Sequence, residues 1–221
     1  MKNNRLLSVL FLLALILFLI TAAIALPIYG RGFYYAHIEA MDLPEKTGYS
    51  AREIRAAYDE VLDYLTLRNR EFGTGVFPHT EEGAAHFADC KVLFDLNRNV
   101  LVSSAVVLGI LLLLQKKWGP YRLGRRSAAF WAAIFAVVLP ILVGSLAAMD
   151  FDRAFVVFHS LFFPGKTNWV FDWYRDAIIQ VLPQDFFMHC AMLIGGGLLV
   201  LSLAVAAVDT LMEKKKKASH S

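Results

Sequence analysis

Four long apolar runs divide the chain, at residues 6–28, 100–114, 128–149 and 186–208, each bounded by charged residues. A helix needs about 20 apolar residues to cross the roughly 30 Å core of a bilayer, a length the first, third and fourth runs reach. The second is short by that measure, so its helix is expected to begin earlier, near Phe94, and to span about 97–115. Between the runs the pattern changes. Ser50 and Glu53 form a capping box ahead of Ile54, Tyr58, Val61, Leu62 and Leu65, which recur at helical spacing and predict an amphipathic helix to about Leu67. Gly73, Gly75 and Pro78 break that pattern. Thr80 then caps a helix running to Leu96, with Glu81 and Glu82 in its first turn, where carboxylates suit the positive end of the helix dipole. Across residues 150–161 and into Phe162, Phe151, Phe155, Phe158 and Phe162 recur at helical intervals, the pattern of a helix lying in a membrane interface.

These elements predict an all-α membrane protein. It has four transmembrane helices (6–28, 97–115, 128–149, 186–208) and two helical extracytoplasmic segments (29–96 and 150–185), in a single integral membrane domain over 1–221. Hydrophobic residues make up 57% of the chain and the mean hydropathy is +0.51. Their concentration in four runs excludes an ordinary soluble domain. Charge sets the orientation. Lys2, Arg5, Lys116, Lys117, Arg122, Arg125, Arg126 and the lysines from 214 to 217 flank the spans on one side, and almost all of the 19 acids lie in the other two connections. The positive-inside rule then places both termini in the cytoplasm and the acidic segments outside. A cleavable leader is the alternative for the first run, with Ala23-Ile24-Ala25 as its cleavage site, but the run exceeds the usual h-region of about 7–15 residues. Tyr34 and Tyr35 suit the headgroup zone, Trp169 and its aromatic neighbours an interfacial belt, and Gly195, Gly196 and Gly197 close helix packing. Cys90 and Cys190 both fall on or near the outer side, where a disulfide is conceivable, although no framework spacing supports one.

Five of the six histidines lie in or beside the outer segments. His37, His79 and His189 have ordinary structural readings, and His220 lies in the basic tail. His86 and His159 differ, because each sits where an outer segment meets the membrane, beside apolar residues and near carboxylates. Imidazole transfers protons near neutral pH, so two of them can supply a base together with an acid or an oxyanion donor. Glu82, His86 and Asp89 share one helical face. No Gly-x-Ser-x-Gly elbow, His-Glu-x-x-His or phosphate loop is present. A metal set of His79, Glu82, His86 and His159 is possible by ligand type, yet its spacing matches no standard signature. No metal is expected, and no nucleic acid is expected as a partner.

Two blocks carry a resemblance. The first runs from Phe72 through Thr80-Glu81-Glu82 and His86-Phe87-x-Asp89-x-Lys91 to Phe94. The second holds Phe158-His159, Phe162-Phe163, Trp169-x-Phe171-Asp172, Asp176, Ile179 and Leu182-Pro183 ahead of Phe186-Phe187. With the four-span layout, the chain resembles the lipoprotein intramolecular transacylases, Lit, a family of small bacterial integral membrane proteins. It departs from their pattern at Cys90, where an aliphatic residue is expected, at Trp173, in place of proline, and at Gln184, in place of an acid. The resemblance implies a multi-pass protein of the bacterial cytoplasmic membrane with its active site on the extracytoplasmic face. The implied partners are membrane lipids and a diacylglyceryl-modified lipoprotein substrate. An ester-linked acyl chain moves to the α-amine of that lipoprotein's N-terminal cysteine, giving an N-acylated lyso form, with no cofactor and no external donor. His86 and His159 are the implied catalytic residues, supported by Glu82, Asp89, Lys91, Asp172 and Trp169. Glu82 or Asp89 is expected to orient His86. The rival classes are a metal-dependent membrane hydrolase and a non-catalytic membrane partner or chaperone.

Overall fold

The computed structural model describes residues 4–67 and 70–218. Expectations resting on Lys2 and His220, or on the side chains of Lys216 and Lys217, lie outside what is described. Among the described residues the chain forms helices α1 (Arg5–Tyr29), α2 (Arg31–Ala40), α3 (Leu43–Thr47), α4 (Ala51–Thr66) and α5 (Glu81–Trp118), then strands β1 (Arg122–Leu123) and β2 (Arg126–Ser127). Helices α6 (Ala128–Met149) and α7 (Phe151–Phe162), a 3-10 turn at Ala177–Gln180 and α8 (Gln184–Ala218) complete it. Helices α1, α5, α6 and α8 are long and apolar enough to cross a membrane. The outer helix expected from Thr80 to Leu96 and the short second span are one continuous helix of 38 residues. At 1.5 Å per residue it is about 57 Å long, nearly twice the apolar thickness of a bilayer. Its polar first turns carry His86.

The chain divides into two compact units. One gathers the chain up to Ile24, Arg98–Ser145 and the chain from Leu193 onward. There Leu15, Leu19 and Ala23 of α1 pack with Leu108 and Leu111 of α5, Ala132 and Ala136 of α6 and Leu198 of α8. Ala128, Ala132 and Ala136, one turn apart, are fully buried and form the small-residue stripe of this core. Of the glycines expected in that role, Gly195 and Gly196 do not fill it. A Cβ at Gly195 would meet only Pro140, at an ordinary 3.9 Å, and one at Gly196 would meet nothing. Strands β1 and β2, unforeseen in an all-α reading, pair antiparallel with Arg122 opposite Ser127 and turn at Gly124, whose φ is +68°. The Arg122 amide donates to Ser8 Oγ at 3.1 Å, and its guanidinium pairs with Glu213 at 3.2 Å.

The second unit, Ala25–Asn97 with Leu146–Met192, holds its own core. Helix α4 forms as its pattern predicts: the Ser50–Glu53 capping box is closed, and Ile54, Tyr58, Val61, Leu62 and Leu65 are all buried. Tyr34, expected to suit the headgroup zone, is a core side chain. It is 1% exposed, stacks on Tyr58 at 3.8 Å and donates its hydroxyl to the Val181 carbonyl at 2.6 Å. Arg31 of α2 reaches Asp59, at 2.8 Å, and Asp63 of α4. Gln184, where an acid was expected, donates to Asp152 at 2.5 Å, a contact that a second carboxylate would turn into repulsion. Cys90 and Cys190 are both free thiols.

Replacing Tyr34 with Phe strips the Val181 carbonyl of its donor while keeping the ring stack. Thermal unfolding in detergent is expected to show a loss of about 1–3 kcal/mol.

Candidate active site

Asp176 joins the two long connecting segments, 29–96 and 150–185, at the first turn of α5. Its Oδ1 accepts from the Thr80 amide at 2.7 Å and the Thr80 hydroxyl at 2.8 Å. Thr80 in turn caps the helix, its Oγ1 accepting from the Gly83 amide at 3.0 Å. A Cβ at Gly83 would run into the Asp176 carboxylate, so the approach requires glycine. The Ala177 amide adds a bond to the Pro78 carbonyl at 3.1 Å. The Thr80 cap was legible in the sequence. Asp176 appeared there only as one residue of the second block.

Held this way, the segment after α7 closes over α5. The rings of His86 and His159 lie 5.7 Å apart, centre to centre. Phe163 stands 4.9 Å from His86 and 5.7 Å from His159, and Phe171 meets His86 edge-on at 5.5 Å. Trp169 stacks on His159 at 4.6 Å, anchored by its indole N–H on the Lys166 carbonyl at 3.0 Å. The two imidazoles are 5% and 7% exposed. On α7 the Phe stripe divides: Phe158 and Phe162 are about half exposed, while Phe151 and Phe155 are partly buried and Phe155 lies 4.2 Å from the buried His159 ring.

The two rings are anchored differently. His159 Nδ1 lies 2.7 Å from the Phe155 carbonyl and donates to it, which leaves Nε2 as the free lone pair of the neutral ring. His86 Nε2 lies 3.4 Å from Cys90 Sγ, and its Nδ1 is buried without a partner. Asn168 Oδ1, on the closing segment, is likewise buried and unpartnered. Burial pushes His86 down to about 4, helped by the neighbouring His159 and opposed by Asp89. Burial also lowers His159, against its bond to Phe155. Burial pushes the Cys90 thiol up to about 12, so it keeps its proton. Near neutral pH the site therefore holds two uncharged imidazoles and a thiol in an aromatic enclosure.

The supporting residues separate into groups. Trp169 touches His159 directly. Asp89 does not bond His86. It pairs with Lys166 and accepts from Asn168 at 3.1 Å, tying the closing segment to α5 and acting on His86 only as a nearby charge. Lys91 turns to the end of α4, its Nζ over the Tyr64 ring at 4.2 Å. Asp172 accepts from the amides of Tyr174 and Arg175 and organises the turn beyond the site. Glu82 is exposed, and among the described residues no hydrogen bond or ion pair joins it to His86. It lines an open cleft with His79, whose Nδ1 lies 2.8 Å from Thr74 Oγ1. Among the described residues, no three His, Cys, Asp or Glu side chains converge as a metal set would. Sequence reasoning missed Asp176, Lys166, Asn168 and the wall residues Phe163 and Phe171 as parts of the site.

The family model of the lipoprotein intramolecular transacylase Lit matches residues 9–187. The solved structure of the membrane-integral lipoprotein intramolecular transacylase Lit from Bacillus cereus superposes with a TM-score of 0.89 at 26% identity, covering 97% of each chain. A histidine-to-arginine variant of that protein gives a TM-score of 0.82 at 26% identity, covering 97% of this chain and 94% of that one. Its histidine-to-alanine counterpart gives 0.82 at 25%, with 97% and 95% covered. No curated protein matches the chain significantly. The match over most of the chain, with likeness through four apolar helices and both long connecting segments, leads to one conclusion: this multi-pass membrane protein belongs to the Lit family of lipoprotein intramolecular transacylases.

Proposed function

We propose that the buried histidine pair moves an ester-linked acyl chain of a diacylglyceryl-modified lipoprotein to the α-amine of its N-terminal cysteine. The product is an N-acylated lyso form, made on the extracytoplasmic face of the bacterial cytoplasmic membrane. The observation that carries the proposal is the pairing of two neutral imidazoles with complementary anchoring in one apolar enclosure. His159 is the base. Its Nε2 lone pair takes the proton from the amine as nitrogen attacks the ester carbonyl. His86 is the oxyanion donor. The Cys90 S–H gives its hydrogen bond to Nε2, so the ring proton sits on the unpartnered Nδ1 and points at the developing negative oxygen. His159, now protonated, returns the proton to the leaving glycerol oxygen as the C–O bond breaks. One C–N bond replaces one C–O bond and no proton is gained or lost. No serine or cysteine nucleophile is required, and donor and acceptor share one molecule, so confinement supplies the proximity.

The supporting residues then have physical tasks. Trp169 holds the His159 ring by stacking, and Asp89 with Lys166 and Asn168 keeps the enclosure shut. Asn168 Oδ1 is an acceptor available to the incoming amine. The exposed faces of Phe158 and Phe162 receive the acyl chains. Lys91 and Asp172 fix the backbone on either side.

His86→Ala and His159→Ala, expressed with a reporter lipoprotein, should each lower formation of the N-acyl lyso form by roughly a hundredfold or more, as read by mass spectrometry. Wild-type rates in both variants would sink the mechanism.

The pH dependence follows from neutrality. The rate should fall in two steps as pH drops, first as the α-amine protonates near its ordinary value of about 8 and again below the ordinary imidazole range, where His159, lowered by burial, takes up its proton and can no longer act as base. Stability should fall over a related window. The unfolded chain takes up a proton at His86 near pH 6.5, and the folded chain does so only near pH 4, so stability is full above 6.5 and is lost as pH falls toward 4. A melting series across that range should show a smaller decline for His86→Phe than for the wild type.

A further inference from the structure

The hairpin of β1 and β2 has no part in the chemistry above, yet it is firmly built onto the apolar unit. The Arg122 amide bonds Ser8 of α1, the Tyr121 hydroxyl donates to the Leu111 carbonyl of α5 at 2.8 Å, and the Trp131 indole N–H donates to the Leu123 carbonyl at 3.2 Å. Residues of α1, of the hairpin and of α6 together line an open cavity of about 380 Å³. Arg5 and Arg122 supply its charge, and Leu12, Leu123, Trp131 and Phe135 supply apolar walls.

The two cations differ in how they are engaged. The Arg122 guanidinium is shared between the Glu213 carboxylate, at 3.2 Å, and the Arg125 carbonyl. Arg126, on the same hairpin, lies over the Phe130 ring at 4.9 Å. Arg5 is exposed, and among the described residues no carboxylate or other acceptor answers it. Arg5 and Leu12 are seven residues apart on α1, a rise of about 10 Å along its axis. The cavity therefore has a cationic mouth at the basic flank of the spans and apolar walls that reach into their hydrophobic stretch. Trp131 and Phe135, on the membrane-spanning α6, are 39% and 59% exposed.

A water-soluble anion would answer Arg5 but leave Leu12 and Phe135 without a partner, and a lipid of no net charge would leave Arg5 unanswered. A molecule with a negative headgroup and acyl chains meets both. The positive-inside rule expects this end of the spans at the cytoplasmic leaflet, whose surface is negative. We infer that the cavity is a binding site for an anionic phospholipid, with its phosphate on Arg5 beside Arg122 and the upper part of an acyl chain against Leu12 and Phe135. Glu213 weakens the attraction at Arg122, which leaves Arg5 as the residue that discriminates by charge. All of these residues belong to the unit that does not hold the histidine pair, so the inference stands apart from the transacylase reading.

The test offers the delipidated full-length protein, in detergent, an equimolar mixture of phosphatidylglycerol and phosphatidylcholine with identical acyl chains. Native mass spectrometry counts the bound lipids. The wild type should retain phosphatidylglycerol over phosphatidylcholine by roughly fivefold, the effect of about one basic side chain acting on a lipid headgroup. Arg5→Gln should bring the ratio close to one. Lys116→Gln removes an exposed charge from the same flank but outside the cavity, and should leave the ratio at its wild-type value. Glycerol 1-phosphate, at the concentration of the lipid, should not displace it. A wild-type ratio near one would overturn the inference. Equal losses in the two variants would overturn it in favour of a diffuse surface field, and displacement by glycerol 1-phosphate would overturn it in favour of a site for a water-soluble anion.

Discussion

The contact on which the site depends is a single carboxylate on the first turn of a long helix. Asp176 takes hydrogen bonds from both the backbone and the side chain of Thr80, almost a hundred residues away in sequence. Thr80 spends its remaining capacity on capping α5. Glycine at 83 lets the carboxylate come this close. The result fixes the segment that carries Trp169 and Phe171 against the helix that carries His86, with Asp89, Lys166 and Asn168 as a second tie on the same pair of elements. The tied segment brings Phe171 onto His86 and Trp169 onto His159, completing a cover that Phe155 of α7 begins on His159.

Enclosure then sets the chemistry. Two imidazoles in water would titrate independently near 6.5. Buried together they resist protonation, first by desolvation and then because a charge on one penalises a charge on the other. Neutral imidazole is bifunctional, with one donor and one acceptor nitrogen, and the neighbours decide which is which. The Phe155 carbonyl claims the donor of His159, and the Cys90 thiol faces Nε2 of His86. The same side-chain type thus takes two roles, base and hydrogen-bond donor, through the groups behind it.

What could be read from the sequence was local. The inward face of α4 and the Ser50 and Thr80 caps follow from spacing over a few residues, and each is present in the structure. What could not be read was tertiary. Tyr34 follows an apolar run and has the composition of a headgroup aromatic, but its partners Tyr58 and Val181 arrive from distant parts of the chain and make it a core residue. Asp89 shares a helical face with His86, yet its partner is Lys166, and Glu82 on the same face turns to open cleft. The small-residue packing in the membrane-type unit falls to the alanines of α6 rather than to the more conspicuous Gly195 and Gly196 of α8, since only contact reveals which small residues meet a neighbour.

The central claim is that one enclosure joins the ester and the amine of a single molecule. An isotope crossover measures it most directly. Two diacylglyceryl lipopeptides of different peptide mass, one with deuterated acyl chains and one without, are incubated together with the protein and their products are weighed. The account predicts an N-acyl lyso form of each peptide carrying only its own chains, with no change in total mass. Peptides carrying the other's chain would contradict intramolecular transfer, and products lighter by a whole acyl chain would make the protein a hydrolase instead.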